Sequence, residues 1–290
     1  MIRTLLFPSQ VFDRKKVDDD MKAEYDAVLE TGKFEILLFS YDDWFNKGIL
    51  KLTQPVSFPI KAVYRGWMMK PEQYERFYSQ LLKANIQLVT TPQMYSLMHV
   101  FPNIYPYLRD DTARLETFPL HEEIDINILK KHFQRFMVKD YVKSVKGTEF
   151  PAFFDDSVTQ NEFDRWMEIF YHYRGDLLTG GICVKEYLDL RRYDGKINEF
   201  RVYYVNHQVA SASRNSLQPV YTPEPPDALI EKYRFLDSVF YTIDFAELAD
   251  GNWKIIEAGD GSVSGLSYQQ DYQAFYKALF TCINDSSITE

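Results

Sequence analysis

The sequence has a deficit of positive charge, few cysteines and no long apolar run. Its 33 Lys and Arg residues are outnumbered by 42 Asp and Glu residues, and the formal net charge is -9. A chain this acidic repels nucleic acid and anionic membranes. No stretch approaches the roughly 20 apolar residues of a membrane helix, and two cysteines without a spacing pattern are typical of a reducing compartment. We therefore expect a cytoplasmic protein that binds neither nucleic acid nor membranes.

Common signatures of phosphate binding and of nucleophilic catalysis are also missing. The sequence has no G-x-x-x-x-G-K-S/T loop, and no G-x-G-x-x-G follows a strand, so neither common phosphate fingerprint applies. There is no credible Ser-His-Asp set. Cys183 and Cys282 lie inside apolar runs, where packing explains them best. Any active centre must therefore be sought in patterns with weaker signatures.

Acidic residues lie on two strand-like runs that a turn signal separates. Residues 240–245 and 253–258 both have strand character, and an Asp-Gly pair at 250 and 251 predicts a two-residue turn between them. In that hairpin Asp244 and Glu257 become near cross-strand neighbours, with Cβ atoms roughly 5 Å apart. Two like charges this close need a cation, and Mg²⁺ is usually held by one or two carboxylates plus substrate phosphates. A hairpin whose acidic side chains face water is the alternative.

A basic segment upstream supplies positive charge that the chain as a whole lacks. Residues 136–138 predict a short buried strand before Lys139, and residues 143–148 are small and polar enough for a mobile loop over phosphates. A solvated basic face is the alternative. The basic residues of this segment are Lys130, Lys131, His132, Arg135, Lys139, Lys143 and Lys146.

Three further strand-like runs follow the basic segment. Residues 180–190 begin as an apolar strand and turn polar at the exit, where an adenine ring would find an apolar surface and backbone hydrogen-bonding groups. Residues 199–205 and 208–214 predict a hairpin. In its first strand Glu199 and Arg201 share one face, because side chains alternate with a period of two. Rim residues of an antiparallel sheet are the alternative.

Taken in order, these segments resemble the ATP-grasp fold, and most closely its arginine-to-lysine clade of bacterial and phage proteins. The resemblance covers residues 125 to 285 and depends on the order of several weak motifs rather than on any one. The motifs are Val138-Lys139, Lys143-Ser144, Val184 to Leu188, Glu199 to Val202, Ala210 to Arg214, Asp244, and Glu257 to Asp260.

The resemblance implies an ATP site built from the first of these motifs. It assigns the nucleotide phosphates to Lys139 and Lys185. Glu199 is implied as the ribose or the metal-side carboxylate, and Asp189 competes for the ribose role because an insertion separates the hinge from Glu199. The residues implied at the adenine edge are Glu186, Tyr187 and Leu188.

The later motifs imply metal and catalytic groups. Asp244 and Glu257 match two magnesium carboxylates, and Asp260 is a third candidate ligand, although Gly259 stands where the family usually has Asn. The family's glycine-rich loop is sparse here, and Lys143 and Lys146 are expected to replace it with side-chain charge. The implied catalytic residues, near the γ-phosphate and the acyl phosphate, are Arg201, Arg214 and Lys143.

The activity that the resemblance implies is ATP- and magnesium-dependent ligation of a carboxylate to an amine. Such enzymes convert the carboxylate to an acyl phosphate, which an amine then attacks, and the protein contributes positioning and charge neutralisation. The substrates are expected to be small molecules or peptides. A phosphotransferase acting on a hydroxyl group and a non-catalytic nucleotide-binding module are the alternatives.

Two domains are expected, an α/β domain over 1–122 and an ATP-grasp domain with mostly antiparallel sheets over 123–290. In the first, strands at 2–7, 34–40, 61–66 and 86–90 alternate with helices at 17–31 and 71–84, which favours a partly parallel sheet. Family members often bind substrate between the two domains. The candidates for substrate contact, with core packing as the alternative, are Arg65, Trp67, Tyr95, His99 and Tyr105.

Overall fold

The computed structural model describes residues 1–145 and 147–285 as a mixed α/β fold. Lys146, one of the predicted loop cations, lies outside the described residues. No helix within the two described ranges is long and apolar enough to cross a lipid bilayer. The helices are α1 Lys22–Thr31, α2 Tyr41–Phe45, α3 Pro71–Lys83, α4 Pro92–His99, α5 Phe101–Leu108, α6 Ile126–His132, α7 Gln160–Arg174, α8 Asp227–Lys232 and α9 Tyr272–Asn284. The strands are β1 Thr4–Pro8, β2 Glu35–Phe39, β3 Ile60–Tyr64, β4 Ile86–Leu88, β5 Leu115–Phe118, β6 Phe136–Asp140, β7 Ile182–Glu186, β8 Arg192–Tyr193, β9 Lys196–Ile197, β10 Glu199–Val205, β11 Gln208–Arg214, β12 Phe240–Glu247 and β13 Trp253–Asp260.

The first sheet has the order β2-β1-β3-β4, and each of its pairings is parallel. Its strands and its helices α1 and α3 lie where the alternating pattern predicts them. Gly32 ends α1 at a φ of 61°, a left-handed conformation that glycine adopts without steric cost. Pro71 starts α3 at a position where its missing N–H costs no hydrogen bond.

The second sheet is antiparallel, with the order β11-β10-β12-β13. A two-residue turn joins β10 to β11, and both of its residues, Asn206 and His207, have positive φ, as the favoured hairpin turn requires. Two β-bulges shift the register, one at Tyr203/Tyr204 and one between Asp244 and Phe245. A bulge re-aims the side chains beyond it, so both irregularities affect which residues face each other.

The third sheet, β5-β7-β6, is antiparallel and carries the basic strand β6. Strand β5 precedes the predicted domain boundary after residue 122, yet it pairs with β7, which follows that boundary. The boundary itself stays a prediction. A small hairpin of β8 and β9 fills the insertion between β7 and β10.

Some boundaries differ from those that the sequence pattern predicts. The Asp-Gly turn is longer than two residues, because the Leu248 N–H donates to the Asn252 carbonyl at 2.7 Å and closes a wider loop. Four prolines within residues 219–226 predict a rigid loop before a helix around residues 227–237, but α8 ends at Lys232. Tyr268, which the spacing of aromatic residues places in the last helix, precedes α9 and is exposed.

One core joins the first and second sheets. Leu5 and Phe7 of β1 pack in the same buried cluster as Tyr203, Phe240 and residues of α9. A second cluster packs α4 and α5 on the other face of the second sheet. The second sheet is thus covered on both faces, and α5 is placed between it and the third sheet.

Candidate active site

The acidic residues of the second sheet meet across β12 and β13. Asp244 and Glu257 are direct cross-strand partners, as the hairpin pattern predicts. The bulge after Asp244 produces this pairing, because the register on the turn side, Phe245 with Ile255, would otherwise place Ile256 opposite Asp244. Asp244 is buried and Glu257 is partly exposed. We call Asp244 and Glu257 the acid pair.

Arg201 faces Asp244 from the neighbouring strand β10. Its Nε donates to Asp244 Oδ1 at 2.8 Å and its Nη2 donates to Oδ2 at 2.6 Å, which is a bidentate ion pair. Burial disfavours the charged guanidinium, but the Asp244 carboxylate outweighs burial and raises the pKa of Arg201 above its usual value. Arg201 therefore stays charged beside the acid pair.

Two lysines of the third sheet point at strand β13. Lys139 Nζ lies 3.2 Å from Glu257 Oε1, and Lys185 Nζ donates to the Ile256 carbonyl at 2.7 Å. The register places Lys139 opposite Cys183 and so makes the two lysines diagonal neighbours on one face. The third sheet therefore presents two buried cations to the edge of the second sheet.

The two ammonium groups are close enough to affect each other. Burial lowers the pKa of Lys185 to about 7, and the nearby charge of Lys139 acts in the same direction. Both ammonium groups lie over the ring of Phe101, at 5.2 Å for Lys139 and 4.2 Å for Lys185 from the ring centroid. The Lys185 side chain is therefore expected to become fully protonated when an anion binds next to it.

The loop after β6 brings a further cation to the same place. Asp140 is buried and accepts the N–H groups of Val142 and Lys143, at 2.7 and 2.6 Å. Arg174 forms an ion pair with the same carboxylate at 2.7 Å. This arrangement fixes the start of the loop and leaves the Lys143 side chain exposed at a cleft.

The cleft lies beside the acid pair and has a volume of about 80 Å³. It brings together residues from the second sheet, the loop after β6 and helix α4. The polar and charged residues that line it include His99, Lys143, Arg201, Asp244, Glu257 and Asp260.

The predicted adenine edge follows β7 directly. Glu186 and Tyr187 use their N–H groups to bind the carbonyls of Arg114 and Arg135, at 2.9 and 3.0 Å. The Leu188 N–H has no hydrogen-bond partner within the described ranges, so it is a donor that a ligand can use. The Asp189 side chain is exposed next to it.

Glu199 and Arg214 lie apart from these groups. Glu199 begins β10 and stands opposite Ala246, on the same face as Arg201. Arg214 stands opposite Phe200, so it points to the other face of the second sheet. There it donates to the Thr222 carbonyl at 3.0 Å and pairs with Glu224 at 3.0 Å.

The substrate-contact candidates of the first 122 residues are mostly engaged in structural contacts. Arg65 is fully buried and forms an ion pair with Glu24 at 2.7 Å. Trp67 and Tyr105 lie outside the residues that line the cleft. Tyr95 is fully buried, and the His99 ring stacks on it at 4.7 Å. Of the five candidates, only His99 lines the cleft.

The chain matches a known protein family over more than half of its length. Residues 128–279 match the model of the ATP-grasp domain of the arginine-to-lysine clade, family 3. The chain belongs to this ATP-grasp family. The resemblance inferred from the ordered motifs is therefore confirmed, and so is the mixed α/β fold with antiparallel ATP-grasp sheets.

Solved ATP-grasp structures resemble the whole chain in fold. The ligase PsnB, complexed with a minimal precursor, has a TM-score of 0.61 and 11% identity over 97% of this chain and 99% of its own. D-alanyl-alanine synthetase A from Vibrio cholerae has a TM-score of 0.59 and 11% identity over 98% of this chain and 99% of its own. A RimK domain ATP-grasp protein from Sphaerobacter thermophilus has a TM-score of 0.61 and 15% identity, over 97% and 99%. No curated protein matches the chain by sequence.

The acid pair of this ATP-grasp domain fits a magnesium ion that phosphates help to hold. Within the described ranges, no group of three His, Cys, Asp or Glu side chains is arranged to hold a metal alone. Mg²⁺ is usually bound by one or two carboxylates and completed by substrate oxygens, and each carboxylate oxygen has more than one lone pair. Asp244 can therefore accept from Arg201 and still contribute a ligand.

Two residues beside the candidate site were not predicted from the sequence. Phe101 covers both lysines, yet no sequence pattern connects an aromatic residue of α5 to a strand that begins at residue 136. Asp140 fixes the loop that carries Lys143. Its position, directly after Lys139 and before a small polar loop, was a usable signal.

Proposed function

We propose that this protein is an ATP- and magnesium-dependent ligase that activates a carboxylate as an acyl phosphate for attack by an amine. The main support for the proposal is that basic side chains of the third sheet lie next to acidic side chains of the second sheet. Lys139 and Lys185 of the third sheet face β13, where Glu257 stands beside Asp244 and Arg201. Alternating cations and carboxylates of this kind suit a triphosphate with its metal.

The roles of the chain's own groups follow from their charge and position. Lys139 and Lys185 bind phosphate oxygens, and Lys143 approaches from the loop. Arg201 stabilises negative charge at the transferred phosphoryl group. Asp244 and Glu257 would hold magnesium, which would supply positive charge to neutralise the phosphates.

The remaining assignments concern the nucleoside. The Leu188 N–H is available to the adenine edge, beside Glu186 and Tyr187. Asp189 and Glu199 are the two candidates for the ribose. Arg214 faces away from the acid pair, so we give Arg201 and Lys143 the catalytic roles in this proposal.

Similar folds support this reaction class. Solved neighbours include PsnB with a minimal precursor, Mg and ADP, and a D-alanine–D-alanine ligase from Bacillus anthracis with ATP. By this likeness we propose that the substrates are amino acids or peptides, which carry both a carboxylate and an amine.

Product analysis tests the proposal. The protein is incubated with ATP, magnesium and a pool of the protein amino acids, and ADP, phosphate, AMP and phosphorylated products are measured. We expect ADP and free phosphate in equal amounts that depend on the pool. AMP would contradict an acyl phosphate route, and a phosphorylated alcohol would identify a kinase instead. Asp244→Asn should lose this turnover. Asp250→Asn, in the exposed hairpin loop, is its matched control.

A further inference from the structure

His99 is the last residue of α4, and it lines the cleft although only 7% of its surface is exposed. Its ring stacks on Tyr95 at 4.7 Å, and Tyr95 in turn stacks on Tyr74 at 3.9 Å. The Tyr95 hydroxyl donates to the Met69 carbonyl at 2.8 Å and accepts the Met69 N–H at 2.9 Å. Packing against a fixed aromatic ring therefore holds the imidazole in place.

Neither ring nitrogen of His99 has a hydrogen-bond partner in the part of the chain that the structure describes. Over the same residues, Ser238 Oγ and Asp260 Oδ2 are the buried side-chain atoms that lack both a partner and contact with solvent. The His99 nitrogens are not among them, so each keeps accessible surface, and the cleft is the space that this residue lines. Buried polar groups in folded proteins almost always have partners, so these nitrogens call for a ligand in the cleft.

The ring of His99 is uncharged at pH 7. Burial lowers the pKa of His99 to about 3. The charges of Lys143 and Lys139 lower this pKa further, whereas the charge of Glu257 opposes them. A neutral imidazole carries one N–H donor and one acceptor nitrogen, so His99 can give a substrate a hydrogen bond without adding charge to the cleft.

The charges around the cleft favour an anionic substrate group. A divalent ion at the acid pair would neutralise the two carboxylates and leave Lys143 and Arg201 as the cations that line the cleft with His99. The side chain of Asp260, the predicted third metal ligand, is fully buried. It stands opposite Tyr241, which strand alternation places on the other face from the acid pair. A carboxylate is therefore attracted to the cleft, and an ammonium group is repelled.

We propose that the ring N–H of His99 donates to an oxygen of the substrate carboxylate that is to be activated. This inference rests on the proposed ligase function and names one substrate class, a carboxylate carried by a compact apolar group. Met68, Val142 and Val263 give the cleft apolar walls, and its volume of about 80 Å³ suits such a group. A carboxylate held there lies beside Arg201 and the acid pair, which are assigned to the transferred phosphoryl group and its metal.

The role of His99 in this proposal is to orient the carboxylate. The hydrogen bond fixes one carboxylate oxygen and leaves the other free to face the γ-phosphoryl group. That second oxygen attacks the γ-phosphorus, so an O–P bond forms, and the bond from the phosphorus to the bridging oxygen breaks. ADP leaves with the electron pair. His99 is a substrate-binding residue that neither gains nor loses a proton.

Ligand-observed NMR tests the inference without turnover. Wild-type protein with a non-hydrolysable ATP analogue and magnesium is mixed with protein amino acids, with their N-acetyl derivatives, which lack the α-amine, and with their amides, which lack the α-carboxylate. Saturation transfer should identify at least one free or acetylated acid that binds. His99→Phe keeps a ring against Tyr95 but should weaken the Kd of that acid at least about tenfold, because a hydrogen bond to a charged group is lost. The Kd of the ATP analogue should not change. His172→Phe, at an exposed position of α7, is the matched control and should behave as wild type.

Rescue separates the hydrogen bond from packing. His99→Gln and His99→Asn keep an amide N–H near one or the other ring nitrogen, and at least one of them should restore the Kd to within about threefold of the wild type. If His99→Phe does not fold, His99→Leu removes the same nitrogens.

Other results would overturn the inference. These are an unchanged acid Kd in His99→Phe, equal losses in the Phe, Gln and Asn variants, binding of the amides alone, or no acid signal from the wild type. ADP release that requires both an acid and an amine, together with an unchanged acid Kd in His99→Phe, would overturn this inference alone. Absence of such ADP release would overturn the ligase function instead.

Discussion

Arg201 and Asp244 face each other across β10 and β12, and two N–H groups of one side chain donate to both oxygens of the other. Asp244 is 3% exposed, so its carboxylate depends on this partner for compensation of its charge. Glu257, in contrast, is partly exposed, and its Oε1 lies 3.2 Å from Lys139 Nζ. The two acids of one metal site therefore differ in what they contribute to stability.

Neutralising either acid of the pair should abolish turnover, but the two variants should differ in how much stability they lose. We expect Asp244→Asn to lower the free energy of unfolding by about 3 kcal/mol, because a buried charge loses its partner. Glu257→Gln should lower it by less, by about 1–2 kcal/mol, because Glu257 is itself partly exposed although its partner Lys139 is buried. Both variants should lose magnesium-dependent turnover. Urea unfolding and ADP release measure the two effects. Equal losses of stability in both variants, or wild-type turnover in either, would contradict the assignment.

Lys139→Met should weaken ATP binding while it keeps the length of the side chain beside Phe101. Loss of one charge-assisted contact to phosphate is expected to cost about 2 kcal/mol, or roughly thirtyfold in Kd. Isothermal titration calorimetry with a non-hydrolysable analogue measures this change. Lys196→Met, at an exposed position of β9, is the control and should bind as wild type. An unchanged Kd in Lys139→Met would exclude a phosphate contact.

The affinity for ATP should depend on pH through Lys185. Because the pKa of Lys185 is about 7, its side chain is an ammonium ion below that pH. Above that pH the side chain is a neutral amine, which must take up a proton when phosphate binds. Affinity should therefore fall as pH rises above about 7, and binding should take up a proton. Calorimetry in buffers of different ionisation enthalpy detects this proton. Lys185→Arg, which stays charged, should remove the uptake, and an unchanged uptake in that variant would assign it to another group.

The residue after Asp260 should not tolerate a side chain. A Cβ on Gly261 would overlap the ring of Phe240, which is fully buried, whereas a Cβ on Gly265 would meet nothing within 4 Å. Gly261→Ala is expected to lower the free energy of unfolding by about 1–3 kcal/mol through overpacking. Gly265→Ala is the matched control and should unfold like the wild type. Thermal unfolding of both variants tests this, and equal midpoints would show that the Phe240 ring moves aside.

Much of the site could be predicted because strand alternation and motif order are local properties. The alternation that predicts β12 and β13 also pairs Asp244 with Glu257 once the hairpin closes, and Lys139 follows a recognisable buried strand. The regular alternation of strands and helices predicts the first sheet for the same reason.

The face of Arg214 could not be predicted because it depends on a β-bulge. From the turn at residues 206 and 207, a regular hairpin would place Arg214 opposite Glu199, on the face that carries Arg201. The bulge at Tyr203/Tyr204 shifts the register by one residue and places Arg214 opposite Phe200. No residue of this hairpin marks the bulge, so spacing alone gives the wrong face.

Arg65 follows the third strand of the chain, yet it holds the carbonyls of Gly261 and Ser264, just beyond the acidic strand β13. A fragment that starts at residue 123 would lose this tether together with β5, the outer strand of the lysine-bearing sheet. We therefore expect that the ATP-grasp half does not fold on its own. A fusion of this half to another protein would have to include the first 122 residues.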